Sequence, residues 1–195
     1  MKKLTVLAAL VLLLVVGCGK KADYYPLTVG NIWEYTTTNT LDYSDTLMTD
    51  TTWTETSSEE VTAEVTLTNS DPAFELVSTY GTAKETSYVA EVEDFVLSYD
   101  SLSDSNPDTM LVNPLEEGAS WTVSSDSVST TKAYVIAKVD SSIVVPAGTY
   151  DDVWKMYWVT TTGTNVDTVT VYLAPNIGNV KTYMMNFDPI HTFTM

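Results

Sequence analysis

Along most of the chain, apolar and polar residues alternate one by one. In EEVTAEVTLTN, Val61, Ala63, Val65 and Leu67 fall on one face and Thr62, Glu64, Thr66 and Thr68 on the other, a period of two that predicts a half-buried strand. The same period runs through NIWEYTTTNTLDY, TSYVAEVE, TKAYVIAKVD, VWKMYWVTTT, DTVTVYLA and NVKTYMMNF, all rich in the β-branched and aromatic residues that suit a pleated surface. Turn-forming clusters separate them: NSDPA, SDSNPD, VPAG, TTGTN and APNIG. No stretch shows the 3.6-residue recurrence and caps of a helix of useful length. The expectation is an all-β domain of roughly ten to twelve strands, an antiparallel, mostly meandering sheet curled into an open barrel or sandwich with little helix.

Two stretches echo each other within this pattern. PLTVGNIWEY from Pro26 and PLEEGASWTV from Pro114 share P-L-x-x-G-x-x-W. In each, Pro and Gly shape a turn, Leu27 or Leu115 plugs an apolar edge, and Trp33 or Trp121 opens a strand with its ring inward. Residues 24–195 therefore read as a single all-β domain of two related halves, 24–112 and 113–195, begun by repeated structural usage of one turn.

The amino-terminal segment has a different pattern. Lys2 and Lys3 precede an apolar or small run over residues 4–17, followed at once by Cys18, Gly19, Lys20 and Lys21. A spanning helix needs about 20 apolar residues, so the run has the length of a signal peptide and not of an anchor. Val15, Val16 and Gly17 before Cys18 resemble the bacterial lipobox, with Val in the places where Leu and then Ala or Ser are preferred. The resemblance implies a lipoprotein signal peptide over 1–17, a diacylglycerol on the Cys18 sulfur, and a lipidated N-terminus and short linker over 18–23. The partner is then a lipid bilayer, held through acylated Cys18, since two or more acyl chains anchor stably where one is marginal. Gly19 stands where an inner-membrane retention Asp would, which favours the outer membrane. Cys18 is also the only cysteine, so no disulfide forms within one chain.

Composition narrows the partners. With residues 1–17 removed, 7 Lys face 26 Asp plus Glu, 7 − 26 = −19, and there is no arginine. Nucleic acid is excluded as a partner, because phosphate binding needs clustered Lys and Arg. Charged residues make up 18% of the chain, below the roughly 25% of ordinary domains, and Ser and Thr fill the difference.

Candidate chemistry is sparse. His191 is the only histidine, so no catalytic triad, Cys-His pair or histidine metal site can be assembled. Asp151 with Asp152, and Glu59 with Glu60, are adjacent carboxylates, but neighbours on a strand point to opposite faces and do not converge on one substrate. No enzyme and no resident cofactor are expected. Calcium is the ion that the sequence would suit, in YDSLSDSNPD, where Asp100, Asp104, Asn106 and Asp108 offer oxygen ligands within one loop, although the spacing is not that of an EF-hand. In VWKMYWVT, alternation sets Trp154, Met156 and Trp158 on one face. Exposed, Trp154 and Trp158 would form a platform for sugar rings; inward, they are core, the reading that large aromatics favour. Six triplets, at Asp45, Asp50, Asp100, Asp108, Asp126 and Asp167, run Asp, Ser or Thr, then an aliphatic residue or Thr, and resemble bacterial O-glycosylation acceptors.

YYPLTVGNIWEY, VPAGTYDDVWKM and YLAPNIGNVKTY, in that order, resemble a family of poorly characterised bacterial lipoproteins and secreted proteins. The resemblance implies an all-β, lipoprotein-like domain and brings no catalytic residues. The motifs read as architecture: Pro146 and Gly148 fit the second and fourth places of a type I turn, and Pro175 and Asn176 a similar bend. The expected role is a non-enzymatic binding or structural protein of the cell envelope. The alternatives are a carrier sheltering lipid in a curved sheet and a glycan-binding surface module, with glycan, lipid or an envelope protein as partner.

Overall fold

Thirteen strands and no helix make up the computed structural model, which describes residues 22–41, 51–125, 130–139, 142–162 and 165–186. β1 (Ile32–Leu41), β2 (Thr51–Thr66), β3 (Pro72–Tyr80), β4 (Ala83–Val92), β5 (Phe95–Tyr99) and β6 (Asp108–Val112) form one antiparallel meander in chain order. β7 (Ser120–Ser125) and β8 (Thr130–Lys138) begin a second sheet, β9 (Ile143–Val145) and β10 (Gly148–Tyr150) form a separate hairpin, and β11 (Trp154–Thr162), β12 (Asn165–Ala174) and β13 (Gly178–Asn186) complete the second sheet in the order β13-β12-β11-β8-β7. The all-β, meandering antiparallel architecture is as the alternation predicts.

The core lies between the sheets. Val61, Leu76, Val89, Val96 and Leu111 come from the first, and Tyr134, Ile136, Met156, Val169, Val171 and Leu173 from the second, with Leu115 from the connection. Val61 and Ile136 have no exposed surface. Burying such side chains contributes about 1.5–3 kcal/mol each.

One expected face is split. A β-bulge between Val61 and Ala63 puts an extra residue, Thr62, opposite the Leu76–Glu75 step of β3, where its hydroxyl donates to the Glu75 carboxylate at 2.7 Å. An added residue reverses the phase of everything after it. Val61 therefore faces the main core, whereas Val65 and Leu67 join Ala73, Ala90 and Tyr99 in a second cluster. That cluster is roofed where Thr68 N donates to Leu102 O at 2.8 Å. The single face of Val61, Ala63, Val65 and Leu67 read from the sequence does not exist.

The P-L-x-x-G-x-x-W stretches build the same corner twice. In each, a turn closes between the first x and the residue after Gly, by Asn31 N to Thr28 O at 2.9 Å and Ala119 N to Glu116 O at 3.0 Å. Gly30 and Gly118 have φ of 93° and 81°, the left-handed conformation that the third place of a type II turn requires. The turn then brackets a fully buried residue of the next strand: Gly30 N to Val61 O and Val61 N to Asn31 O, Gly118 N to Ile136 O and Ile136 N to Ala119 O. Each Trp crosses to the other sheet, Trp33 Nε1 donating to Ile177 O at 2.6 Å and Trp121 Nε1 to Thr109 O at 3.1 Å. Sheet one is thus pinned by its first strand to the turn before the last strand of sheet two, and sheet two by its first strand to the last strand of sheet one.

Candidate functional site

Three places concentrate functional-group chemistry: the mouth where the chain joins the fold, a half-buried carboxylate behind it, and a hydroxyl-lined trough on the outer face of β1–β3.

At the mouth, residues 23–27 lie across one end of the space between the sheets. Asp23 and Asn176 hold each other: Asp23 O accepts from Asn176 N, and Asn176 Oδ1 accepts from Asp23 N at 3.4 Å. Tyr25 N donates to Asp23 Oδ1 at 2.8 Å, and Asn31 Nδ2 to Pro26 O at 2.8 Å. Tyr24, Tyr25 and Leu27 pack on the core. A Cβ on Gly178 would sit 3.2 Å from Trp33 Nε1, so glycine is what lets the turn over residues 174–178 close on the indole. YYPLTVGNIWEY and YLAPNIGNVKTY therefore meet in space. Asn176 has φ of 59°, which differs from the type I bend expected there, since both central residues of that turn have negative φ. VPAG closes the β9–β10 hairpin by pairing Gly148 with Val145.

Behind the mouth, Glu59 lies opposite Trp33 in the β1–β2 ladder and opposite Ser78 in the β2–β3 ladder. Burial holds its carboxyl above the ordinary range, partly offset by a hydrogen bond from Ser78. Burial first, and the Glu59 charge second, push the Tyr25 and Tyr35 phenols far above the usual tyrosine value and raise Tyr80 as well. Tyr35 is hydrogen-bonded to Asn179 of β13. Glu59 was set aside in the sequence as one of an adjacent pair. Glu60 is indeed exposed on the other face, and what alternation could not show is that Glu59 points among three tyrosines.

The trough has a volume of about 410 Å³ and is lined by Glu34, Thr36, Thr56, Ser58, Thr79 and Gly81, with Tyr35 and Ser57. Three cross-strand pairs, Thr36–Thr56, Thr38–Thr54 and Thr40–Thr52, run up the same ribbon, and the hydroxyls of the last are 3.3 Å apart. Cross-strand Thr pairs are stabilising. The sequence signal for the trough was the Thr run of NIWEYTTTNTLDY, read there only as a strand.

The residues singled out in the sequence fare differently. Trp154 and Trp158 share a half-buried, inward face with Met156 and pack on the core. Trp158 lies 5.4 Å from the Tyr134 ring, which stacks on Trp121 at 4.8 Å and 4°. Their rings serve the core arrangement and not a flat outer platform. Burial, then the charge of Asp108, pushes the Tyr134 phenol up to about 12. Asp100, Asp104 and Asp108 are not gathered: among the described residues no group of three His, Cys, Asp or Glu side chains is placed to hold a metal. Asp104 caps its own loop, accepting from Asp100 N at 3.2 Å and Asn106 N at 2.9 Å, while Asp108 begins β6. The calcium expectation has no preassembled carboxylate group behind it. Asp151 accepts from the Ser142 hydroxyl in the bend before β11. Of the Asp-hydroxyl triplets, Ser101 is exposed in its loop whereas Thr109 and Thr168 lie within strands. Cys18, His191 and the triplets at Asp45 and Asp126 lie outside the described residues.

No protein-family model and no curated protein matches the chain. Among solved structures the chain is similar to a "putative lipoprotein" from Parabacteroides distasonis ATCC 8503, at 14% identity and a TM-score of 0.49, over 88% of this chain and 94% of that one. Nothing further follows from a likeness at that level.

Proposed function

We propose that the protein is a lipid-anchored lipoprotein of the bacterial envelope, acylated at Cys18, with a non-enzymatic binding or structural role. The observation that carries this reading is the order apolar run, small residue, Cys18, followed within five residues by Asp23, which is already fastened to Asn176. A lipidated residue so placed ties a folded body to a bilayer with almost no slack. The single histidine and absent arginine leave little for catalysis. The test is growth with labelled palmitate: the wild-type protein takes up label and sediments with membranes, and Cys18→Ala does neither. Uptake and sedimentation unchanged in Cys18→Ala would end the proposal.

A second reading concerns what the body holds. The trough favours a neutral, hydroxyl-rich ligand such as a glycan, because Thr and Ser hydroxyls both donate and accept, and a mature charge of −19, from 7 Lys against 26 acids, disfavours anions. This moves the glycan reading from Trp154 and Trp158 to Glu34, Thr36, Thr56, Ser58 and Thr79. Thr56→Ala with Thr79→Ala should abolish retention on immobilised neutral polysaccharide. The carrier reading gains no support, since side chains from both sheets fill the space between them.

A further inference from the structure

The two corners, the β4–β5 turn, the β8–β11 excursion and the β12–β13 turn all lie at one end of the molecule. Gly30 and Gly118 start their sheets there, Val139 N bonds Val153 O at the base of the excursion, and Trp33 reaches the 174–178 turn. The opposite ends of the β1–β2, β3–β4 and β11–β12 ladders, at Leu41 and Thr51, Tyr80 and Ala83, and Thr162 and Asn165, lie at the other end. Several exposed apolar side chains stand at the first end. Among the described residues, Val29 at 48% and Ile32 at 56% are exposed at the first corner, Phe95 at 42% directly after the β4–β5 turn, Val144 at 73% in the excursion and Ile177 at 44% in the β12–β13 turn. Asp23, the point at which the chain joins the fold, is at that end too, bonded to the turn that carries Ile177.

From this placement we infer that the turn-bearing end seats on the bilayer, with Val29, Ile32, Phe95, Val144 and Ile177 as its lipid-contacting side chains, while the threonine-rich β1–β2 ribbon points away. The inference rests on the proposed acylation of Cys18. Four residues, five chain steps, separate Cys18 from Asp23, a span of at most ~18 Å when fully extended, so an acylated Cys18 holds this end, and no other, at the headgroups. Isolated exposed side chains are ordinary on a protein surface; their gathering on the turns nearest the tether is what suits an interface that is apolar below and polar above. Glu93, Asp94, Glu116, Glu117, Asp151 and Asp152 stand among the same turns, which keeps the contact at headgroup depth and suits zwitterionic lipid better than anionic.

The chain's thiol chemistry makes the test clean, because a lipidated Cys18 leaves any introduced cysteine as the sole free thiol. Full-length lipidated Val144→Cys, Ile177→Cys and Thr54→Cys are labelled with an environment-sensitive fluorophore and placed in phosphatidylcholine vesicles containing nitroxide-labelled lipid. The expected result is a blue shift and quenching several-fold stronger at positions 144 and 177 than at 54. Equal quenching at all three, or stronger quenching at 54, overturns the orientation. A blue shift at 144 and 177 without quenching means a second copy of the chain covers the turns, and also overturns it. Protein that fails to float with vesicles at all indicts the anchor instead, so the two failures are distinguishable.

Discussion

The two corners share a turn and its hydrogen bonds and differ in what they enclose. Around Trp33 the position across the ladder is Glu59, with Tyr25, Tyr35 and Tyr80 about it. Around Trp121 the same position is Tyr134, and the interior is the aromatic stack of Trp121, Tyr134 and Trp158. Turn, positive-φ glycine, bracketed core residue and cross-sheet indole bond are common to both. The geometry of the corner is therefore set by P-L-x-x-G-x-x-W and the buried aliphatic two residues beyond the cross-strand partner. The filling is free to vary, and only the first corner places a carboxylate where water is scarce.

The largest effects should come from the bracketed residues, where the corners are most alike. Ile136→Ala should cost about 2–5 kcal/mol, and Val61→Ala, which removes less, about 1.5–3 kcal/mol, read from urea unfolding midpoints at constant slope. A near-zero cost at either position would separate the corners. Glycine comes next. Gly30→Ala and Gly118→Ala meet no atom within 4 Å, so both should lose about 1–2 kcal/mol from backbone strain alone. Gly178→Ala, with φ of 94° and the Trp33 indole in its way, should exceed them. Trp33→Phe strands the Ile177 carbonyl and should cost about 1 kcal/mol; Trp121→Phe loses the same kind of bond plus part of its stack on Tyr134 and should cost somewhat more in the same assay.

The smallest effect sharpens the contrast. Because folding raises the Glu59 pKa, the native state holds that proton more tightly than the unfolded chain. The stabilisation is complete below the ordinary Glu value of 4.5 and is lost as pH rises through the folded value. Glu59→Gln should therefore gain melting temperature on the wild type between acid and neutral pH, with the difference vanishing toward pH ~4. Tyr134→Phe should shift the melting temperature by a constant amount across that window, since burial and then Asp108 push its phenol up to about 12, outside it. A Glu59→Gln curve parallel to the wild type at all pH values would refute the raised Glu59 carboxyl pKa.

Much of this was written in the alternation. Strand identity, meander and turn positions follow from period two and from Gly, Pro, Asn and Asp clusters, and the echo of Pro26 and Pro114 marked both corners. What escaped was set by registration between strands. The bulge at Thr62 has no local signal, because Val61, Ala63, Val65 and Leu67 alternate without interruption. β2 extends from Thr51 through residues that, Trp53 apart, are polar on both faces, where periodicity is mute. Glu59 among tyrosines, and the trough from Glu34 to Thr79, unite three strands that only the fold brings together. The carboxylates of YDSLSDSNPD failed in the opposite sense: close in sequence, they serve their own loop and strand.

Intact mass spectrometry of the protein extracted from its native membranes bears most directly on the anchored body. The expected species begins at Cys18 and is heavier than the polypeptide by a diacylglycerol, with or without a further acyl chain. A species that begins at Met1, or one with an unmodified Cys18 thiol, would contradict the account.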